Sequence, residues 1–217
     1  MLNSLLSGDY PRSRILSAIL LAILVGLAFA PFLFPGSAAI NTAAKICIFI
    51  VLVASYDLLL GYTGIVSFAH TMFFGIGGYG VGLGLYTFGA GWGVIALGIL
   101  VALVVGVVLA FLIGLLSLRV RAIFYAMITL AVASAFLILA TQFSEITGGE
   151  DGRSFSVPPV LRPGFRLLEQ PLFGTVINGR ILAYYLVFAS AVALFLLALR
   201  VVNSPFGRVL QAKPAPP

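Results

Sequence analysis

Residues Leu58 to Leu118 read LLLGYTGIVSFAHTMFFGIGGYGVGLGLYTFGAGWGVIALGILVALVVGVVLAFLIGLLSL, and none of these 61 residues is Asp, Glu, Lys or Arg. A membrane-spanning helix takes about 20 apolar residues. The run is too long for one crossing and suits two. The weak punctuation Tyr86-Thr87-Phe88-Gly89-Ala90-Gly91 marks the break between them. Two crossings are therefore predicted, over about 65–86 and about 92–116.

The whole chain agrees with its middle. Of 217 residues, 12 are Lys or Arg and 6 are Asp or Glu, so 8% are charged, and 62% are hydrophobic. An ordinary soluble domain is about 25% charged. So few charges could not cover the surface of a soluble globule. A cytosolic enzyme, a disordered chain and a nucleic-acid-binding module are excluded. Mean hydropathy is +1.20, and an integral membrane protein is expected.

Working outward, four further spans are predicted. Ile15 to Phe34 is closed by Pro35-Gly36, and Ala43 to Leu60 is closed by Gly61. A fifth span runs from Ile123 to about Phe143, and a sixth from Ile181 to about Val202. In lipid each segment must satisfy its own backbone hydrogen bonds, so these are helices. No alternation of the kind a barrel needs is visible. The expected fold is an all-α, polytopic helical bundle of about six spans. Residues 1–202 form the membrane region and 203–217 a cytoplasmic segment.

Charge sets orientation. With the N-terminus cytoplasmic, Arg12, Arg14, Arg119, Arg121, Arg200, Arg208 and Lys213 lie inside, seven basic residues against five outside. The short loops at 35–42 and 86–91 then face out and carry no Lys or Arg. In the external 144–180 segment Glu145, Glu150, Asp151 and Glu169 balance Arg153, Arg162, Arg166 and Arg180. The bias is modest and favours N-in. Arg12 and Arg14 before an apolar run ending in Ala28-Phe29-Ala30 resemble a signal peptide. The run continues through Phe32-Leu33-Phe34, so an uncleaved first helix is expected.

Small residues recur every fourth position. Ala102, Gly106, Ala110 and Gly114 do so on the fourth span, and Gly78/Gly82 and Gly80/Gly84 on the third. Such stripes let helix backbones approach closely. They fit a packed transport core or ordinary membrane packing equally. The glycine-rich stretch from Gly75 to Gly84 also points to a broken or re-entrant segment.

Motifs for enzymatic chemistry fail one by one. Gly75-Ile76-Gly77-Gly78-Tyr79-Gly80 matches G-x-G-x-x-G, but there is no acidic residue between Asp57 and Glu145. Tyr56-Asp57 has the form of half an intramembrane aspartyl protease site, which needs a second aspartate, and Asp9 and Asp151 lie outside the spans. Asp57 either caps the Gly61 turn or lines a polar path. His70, the one histidine, reads as a hydrogen-bonded residue in a packed helix; with Cys47 and Asp57 it does not make up a metal site. Cys47 reads as a small buried hydrophobe. No P-loop is present, so any ATP must be handled by a partner. Near the C-terminus, Ser204 is a helix N-cap and Pro205 a first helical residue. Phe206, Val209 and Leu210 share one face of a short amphipathic helix. That helix lies at the headgroups or docks a cytoplasmic partner.

The stretch from Tyr56 to His70, YDLLLGYTGIVSFAH, continued by Phe73-Phe74-Gly75-Ile76-Gly77-Gly78-Tyr79, resembles the LivM-type permeases of bacterial branched-chain amino-acid ABC importers. Three later segments agree in order: Leu118-Arg119-Val120-Arg121 with Phe124-Tyr125-Ala126, then Thr147-Gly148-Gly149-Glu150-Asp151-Gly152, then Asn203-Ser204-Pro205-Phe206-Gly207-Arg208. The resemblance implies a permease subunit in the bacterial inner membrane. Its partners are a homologous second permease, two ATPase subunits, a periplasmic substrate-binding protein and membrane lipid, and no nucleic acid. ATP is used by those partners, and this chain binds no cofactor. Alternating access moves the substrate. Ser204, Pro205, Phe206, Gly207 and Arg208 correspond to the ATPase-coupling helix. Thr147, Gly148, Gly149, Glu150, Asp151 and Gly152 face the binding protein. Asp57, Ser67 and His70 are the candidate substrate-pathway residues. Related permeases for urea or short amides share these segments. Family members continue past S-P-F-G-R with further spans, whereas here a proline tail, Lys213-Pro214-Ala215-Pro216-Pro217, follows. The chain therefore looks truncated at this element; a non-functional permease fragment is an alternative, as are a channel, a secondary transporter and a helix-packing assembly protein.

Overall fold

The computed structural model describes residues 14–117, 122–166 and 176–207. The helices are α1 (Arg14–Leu33), α2 (Ser37–Thr63), α3 (His70–Phe88), α4 (Trp92–Ser117), α5 (Ala122–Gln142), the single turn α6 (Ser144–Thr147) and α7 (Gly179–Val202). Among the described residues the nearest thing to a strand is one isolated antiparallel bridge, Arg166 to Asn178. The chain is all-α and polytopic, as the charge pattern predicts. Four helices are long and apolar enough to cross a membrane: Ser37–Thr63, Trp92–Leu116, Ile123–Gln142 and Gly179–Val202. Arg12, Arg119, Arg121 and Lys213, on which the orientation depends, lie outside the described residues.

The chain divides into two compact units. One is built from α1, α2 and α7, the other from α3 to α6 and the segment up to Pro159.

The first unit is organised by a proline. Pro31 has no N–H to give to the Leu27 carbonyl four residues back, so that carbonyl is released inside α1. The Tyr184 hydroxyl donates to it at 2.5 Å, and the Tyr185 hydroxyl donates to the Ala28 carbonyl at 2.8 Å. Each bond contributes about 1 kcal/mol net, and an unpartnered buried carbonyl would cost more. Around this join pack Ile40, Ala43, Ile181 and Tyr184, with Leu27, Ala30 and Phe188 against them. Ala28-Phe29-Ala30 is thus part of a packed helix. Cys47 is buried nearby on α2, 2% exposed.

Two boundaries differ from expectation for local reasons. Helix α2 begins at Ser37 rather than Ala43, because Thr42 folds its hydroxyl onto the Ala38 carbonyl at 2.9 Å and Ile40 is buried. The predicted 35–42 loop shrinks accordingly. The same helix runs through Gly61 to Thr63, and the stop falls at Gly64, whose φ of +71° favours glycine. Asp57 therefore does not cap a turn at Gly61.

In the second unit α3 starts at His70, not 65. The chain before it is held by Thr129 on α5, a fully buried residue whose hydroxyl accepts from the Phe68 N–H at 3.1 Å and donates to the Ala126 carbonyl at 2.9 Å. Helix α3 is continuous across Gly75 to Gly84, so the broken segment expected there is not found. Its glycines are explained by proximity instead. A Cβ on Gly80 would lie 2.8 Å from the Gly98 carbonyl oxygen and 2.8 Å from the Ala102 Cβ. One on Gly98 would lie 2.7 Å from the Gly80 carbonyl oxygen. The helices cross there backbone to backbone. Of the two α3 stripes only Gly80/Gly84 meets α4, since Gly78 faces open space and Gly82 faces Phe155. The core below the crossing joins Ala69, Met72, Ile76 and Ile113 to Phe73, Val132 and Phe136.

Candidate functional site

The three candidate pathway residues fall in different surroundings. Asp57 belongs to the first unit and is exposed on α2, its carboxylate folded over Gly61 one turn on. Ser67 and His70 belong to the second unit, on the connection into α3 and at its first residue. Ser67 is 5% exposed, next to the Phe68 amide that Thr129 holds. His70 is half-buried and has interaction partners. Among the described residues no group of three or more His, Cys, Asp or Glu side chains could hold a metal ion.

The second unit also carries a groove of about 560 Å³ along α3, α4 and α5. Ile76, Tyr79, Leu83, Val101, Phe136 and Leu139 are among its walls, and none of the residues lining it is charged. It can receive apolar groups and offers no acid or base. Tyr79 and Phe136 fix one wall edge to face, with ring centroids 6.2 Å apart.

Thr147 to Gly152 form a compact loop. Gly148, Gly149 and Gly152 adopt φ of +86°, +61° and +67°. Other residues pay about 1–2 kcal/mol for that region. At Gly148 a side chain would also strike the Gly152 carbonyl. The Thr147 hydroxyl sits 2.6 Å from the Ala140 carbonyl and 2.8 Å from that of Phe143, and accepts from the Gly149 N–H at 3.1 Å. Glu150 and Asp151 are left exposed. In the sequence Arg153 is one of the charges that balance the 144–180 segment. The structure turns it back on the loop, bonded to Tyr86 and to the Glu145 carbonyl. Its place directly after the glycine run was the one available signal.

The turn that follows α7 is built as its residues predict. Helix α7 ends at Val202, Asn203 turns the chain, and Pro205 to Gly207 are helical again. The Ser204 hydroxyl accepts from the Gly207 N–H at 3.3 Å, an N-cap bond, and donates to the Val201 carbonyl at 2.6 Å. Phe206 is 62% exposed. Gly207 is buried, and a Cβ there would fall on the Val202 carbonyl oxygen. That close approach was not read from the sequence. Arg208, Val209 and Leu210 lie outside the described residues.

A glycine also fixes the other end of α7. Asn178 caps the helix by accepting from the Ile181 N–H at 3.1 Å. Gly179 packs against the carbonyls of Val160 and Arg162, leaving no room for a side chain.

The family model described as branched-chain amino acid transport system / permease component matches residues 38–213. The high-affinity branched-chain amino acid transport system permease protein LivM of Salmonella typhimurium is 29% identical over 206 residues, 89% of this chain and 47% of that protein. LivM of Escherichia coli strain K12 is also 29% identical, with the same 89% and 47% coverage. The chain thus spans about half the length of these curated relatives. No solved structure matches. With a family match across both units, the chain belongs to the branched-chain amino acid transport system permease family.

Proposed function

We propose that this chain is a permease subunit of an ATP-binding-cassette importer for branched-chain amino acids, embedded in a bacterial inner membrane. The likeness to the two LivM proteins over 89% of the chain carries the reading. The physical features support it. Apolar helices supply a membrane scaffold, and the driving force is assigned to two partner ATPases, as in the ATP-binding-cassette importers that the chain resembles. A second, homologous permease completes the pathway, and a periplasmic binding protein delivers the substrate. Substrate crosses by alternating access. The capped turn from Ser204, presenting Phe206, receives the ATPase movement. The Thr147–Gly152 loop meets the binding protein.

Substrate class is tested by competition. The full chain is reconstituted with its partner subunits, and uptake of labelled leucine is followed. Unlabelled isoleucine and valine are expected to suppress it, and urea and acetamide to leave it unchanged. Suppression by urea or acetamide alone would overturn the assignment in favour of the amide-type permeases.

A further inference from the structure

We propose that Arg153 is a positioning residue: it locks the Thr147–Gly152 loop to the C-terminal end of α3, so that the loop is offered to the binding protein as one rigid surface. The proposal rests on the importer reading above. Arg153 reaches back to Tyr86, 67 positions earlier in the chain. On α3, its Nη1 donates to the Tyr86 hydroxyl at 2.5 Å, and the guanidinium carbon lies 4.5 Å from the Tyr86 ring centroid. On the other side its Nη2 donates to the Glu145 carbonyl and, at 3.5 Å, to the Ser144 carbonyl. Those carbonyls belong to the turn from which the loop springs. The Cγ of Arg153 packs under Gly148, where an added Cβ would lie 2.7 Å from it.

A planar fork makes this join possible. Its two terminal nitrogens reach separate acceptors while its face lies on an aromatic ring. The Nε is a buried donor with no hydrogen-bond partner. Such a donor is costly. A lysine would avoid that cost and keep the charge, yet could not hold both acceptors in one plane. Arginine is therefore explained by the geometry of the join rather than by charge. With the tether in place, the left-handed glycines and the Thr147 bonds fix the rest of the loop. Without it, the loop remains attached through Thr147 to α5 and loses its hydrogen-bonded link to α3, keeping only packing such as that of Phe155 against Gly82.

Two measurements on Arg153→Lys and Tyr86→Phe test this. In vesicles holding the complete transporter, leucine uptake is titrated with binding protein. Arg153→Lys is expected to raise the half-saturating concentration about tenfold, the loss of one charged hydrogen bond, with the maximal rate unchanged. Tyr86→Phe, which keeps the ring, is expected to give a smaller rise. Spin labels at Phe88→Cys and Glu150→Cys, in a Cys47→Ala background, read the join directly. Their distance distribution is expected to broaden in Arg153→Lys. An unchanged distribution would overturn the proposal, as would a broadened one beside an unchanged half-saturation. A parent transporter indifferent to binding protein would instead sink the importer reading, and the presentation of the loop with it.

Discussion

Replacing Gly207 with alanine is expected to reduce ATP-driven uptake at least tenfold while the protein still inserts and folds. The added Cβ would land on the Val202 carbonyl oxygen, 2.6 Å from the Val202 carbonyl carbon and 2.7 Å from the Val201 carbonyl oxygen. All three are backbone atoms of the last turn of α7, so no side chain can give way. Either that turn unwinds or the Pro205–Gly207 turn swings off it. In the second case the 2.6 Å bond from the Ser204 hydroxyl to the Val201 carbonyl, which ties the turn to α7, is lost. Phe206, held outward by this turn, is displaced. The core of the first unit, around Tyr184 and Ile181, lies toward the opposite end of α7. Thermal stability should therefore change little. The measurement is leucine uptake beside ATP hydrolysis by the assembled transporter: hydrolysis is expected to persist and uptake to fail. Uptake within twofold of the parent would remove the segment's assigned role.

The second large effect is on folding. Gly98→Leu is expected to abolish recovery of a monodisperse protein from detergent. At this crossing a Cβ would already lie 2.7 Å from the Gly80 carbonyl oxygen and 2.9 Å from the Val81 Cα. Overpacking typically costs about 1–3 kcal/mol where side chains can adjust. Here the obstacles are backbone, and a leucine must push α3 and α4 apart. That would strip the contacts of Ala102 and Phe73 with the core below. Gly78→Ala is the control, because nothing lies within 4 Å of its added Cβ. It should fold normally and gain up to about 1 kcal/mol from helix propensity. Gel filtration and thermal unfolding in detergent distinguish the two. Equal behaviour would contradict the close crossing.

These two glycines also show how far the sequence could be read. Helix existence was legible because lipid leaves the backbone no other partner, and the uncharged run resolved into α3 and α4. The small-residue stripe on α4 was visible from Ala102 onward. Gly98, one turn earlier, went unread, because periodicity alone does not say which member of a stripe meets a neighbouring backbone. The start of α3 was misplaced for a similar reason. Its limit is set by Thr129, 61 positions away from Phe68, and such a bond has no local signature. At the candidate sites, the Ser204 cap and Pro205 were legible because capping chemistry is local. Arg153 and Gly207 were not, since their roles depend on carbonyls brought close by the fold.

The proposal at the centre of this account is that the chain, with its partners, moves branched-chain amino acids at the expense of ATP that those partners consume. It is tested most directly by loading vesicles with ATP, supplying binding protein and labelled leucine outside, and reconstituting the full chain and second permease with or without the ATPase subunits. Accumulation of leucine against its gradient is predicted only when the ATPases are present. Accumulation that persists without them would contradict the account.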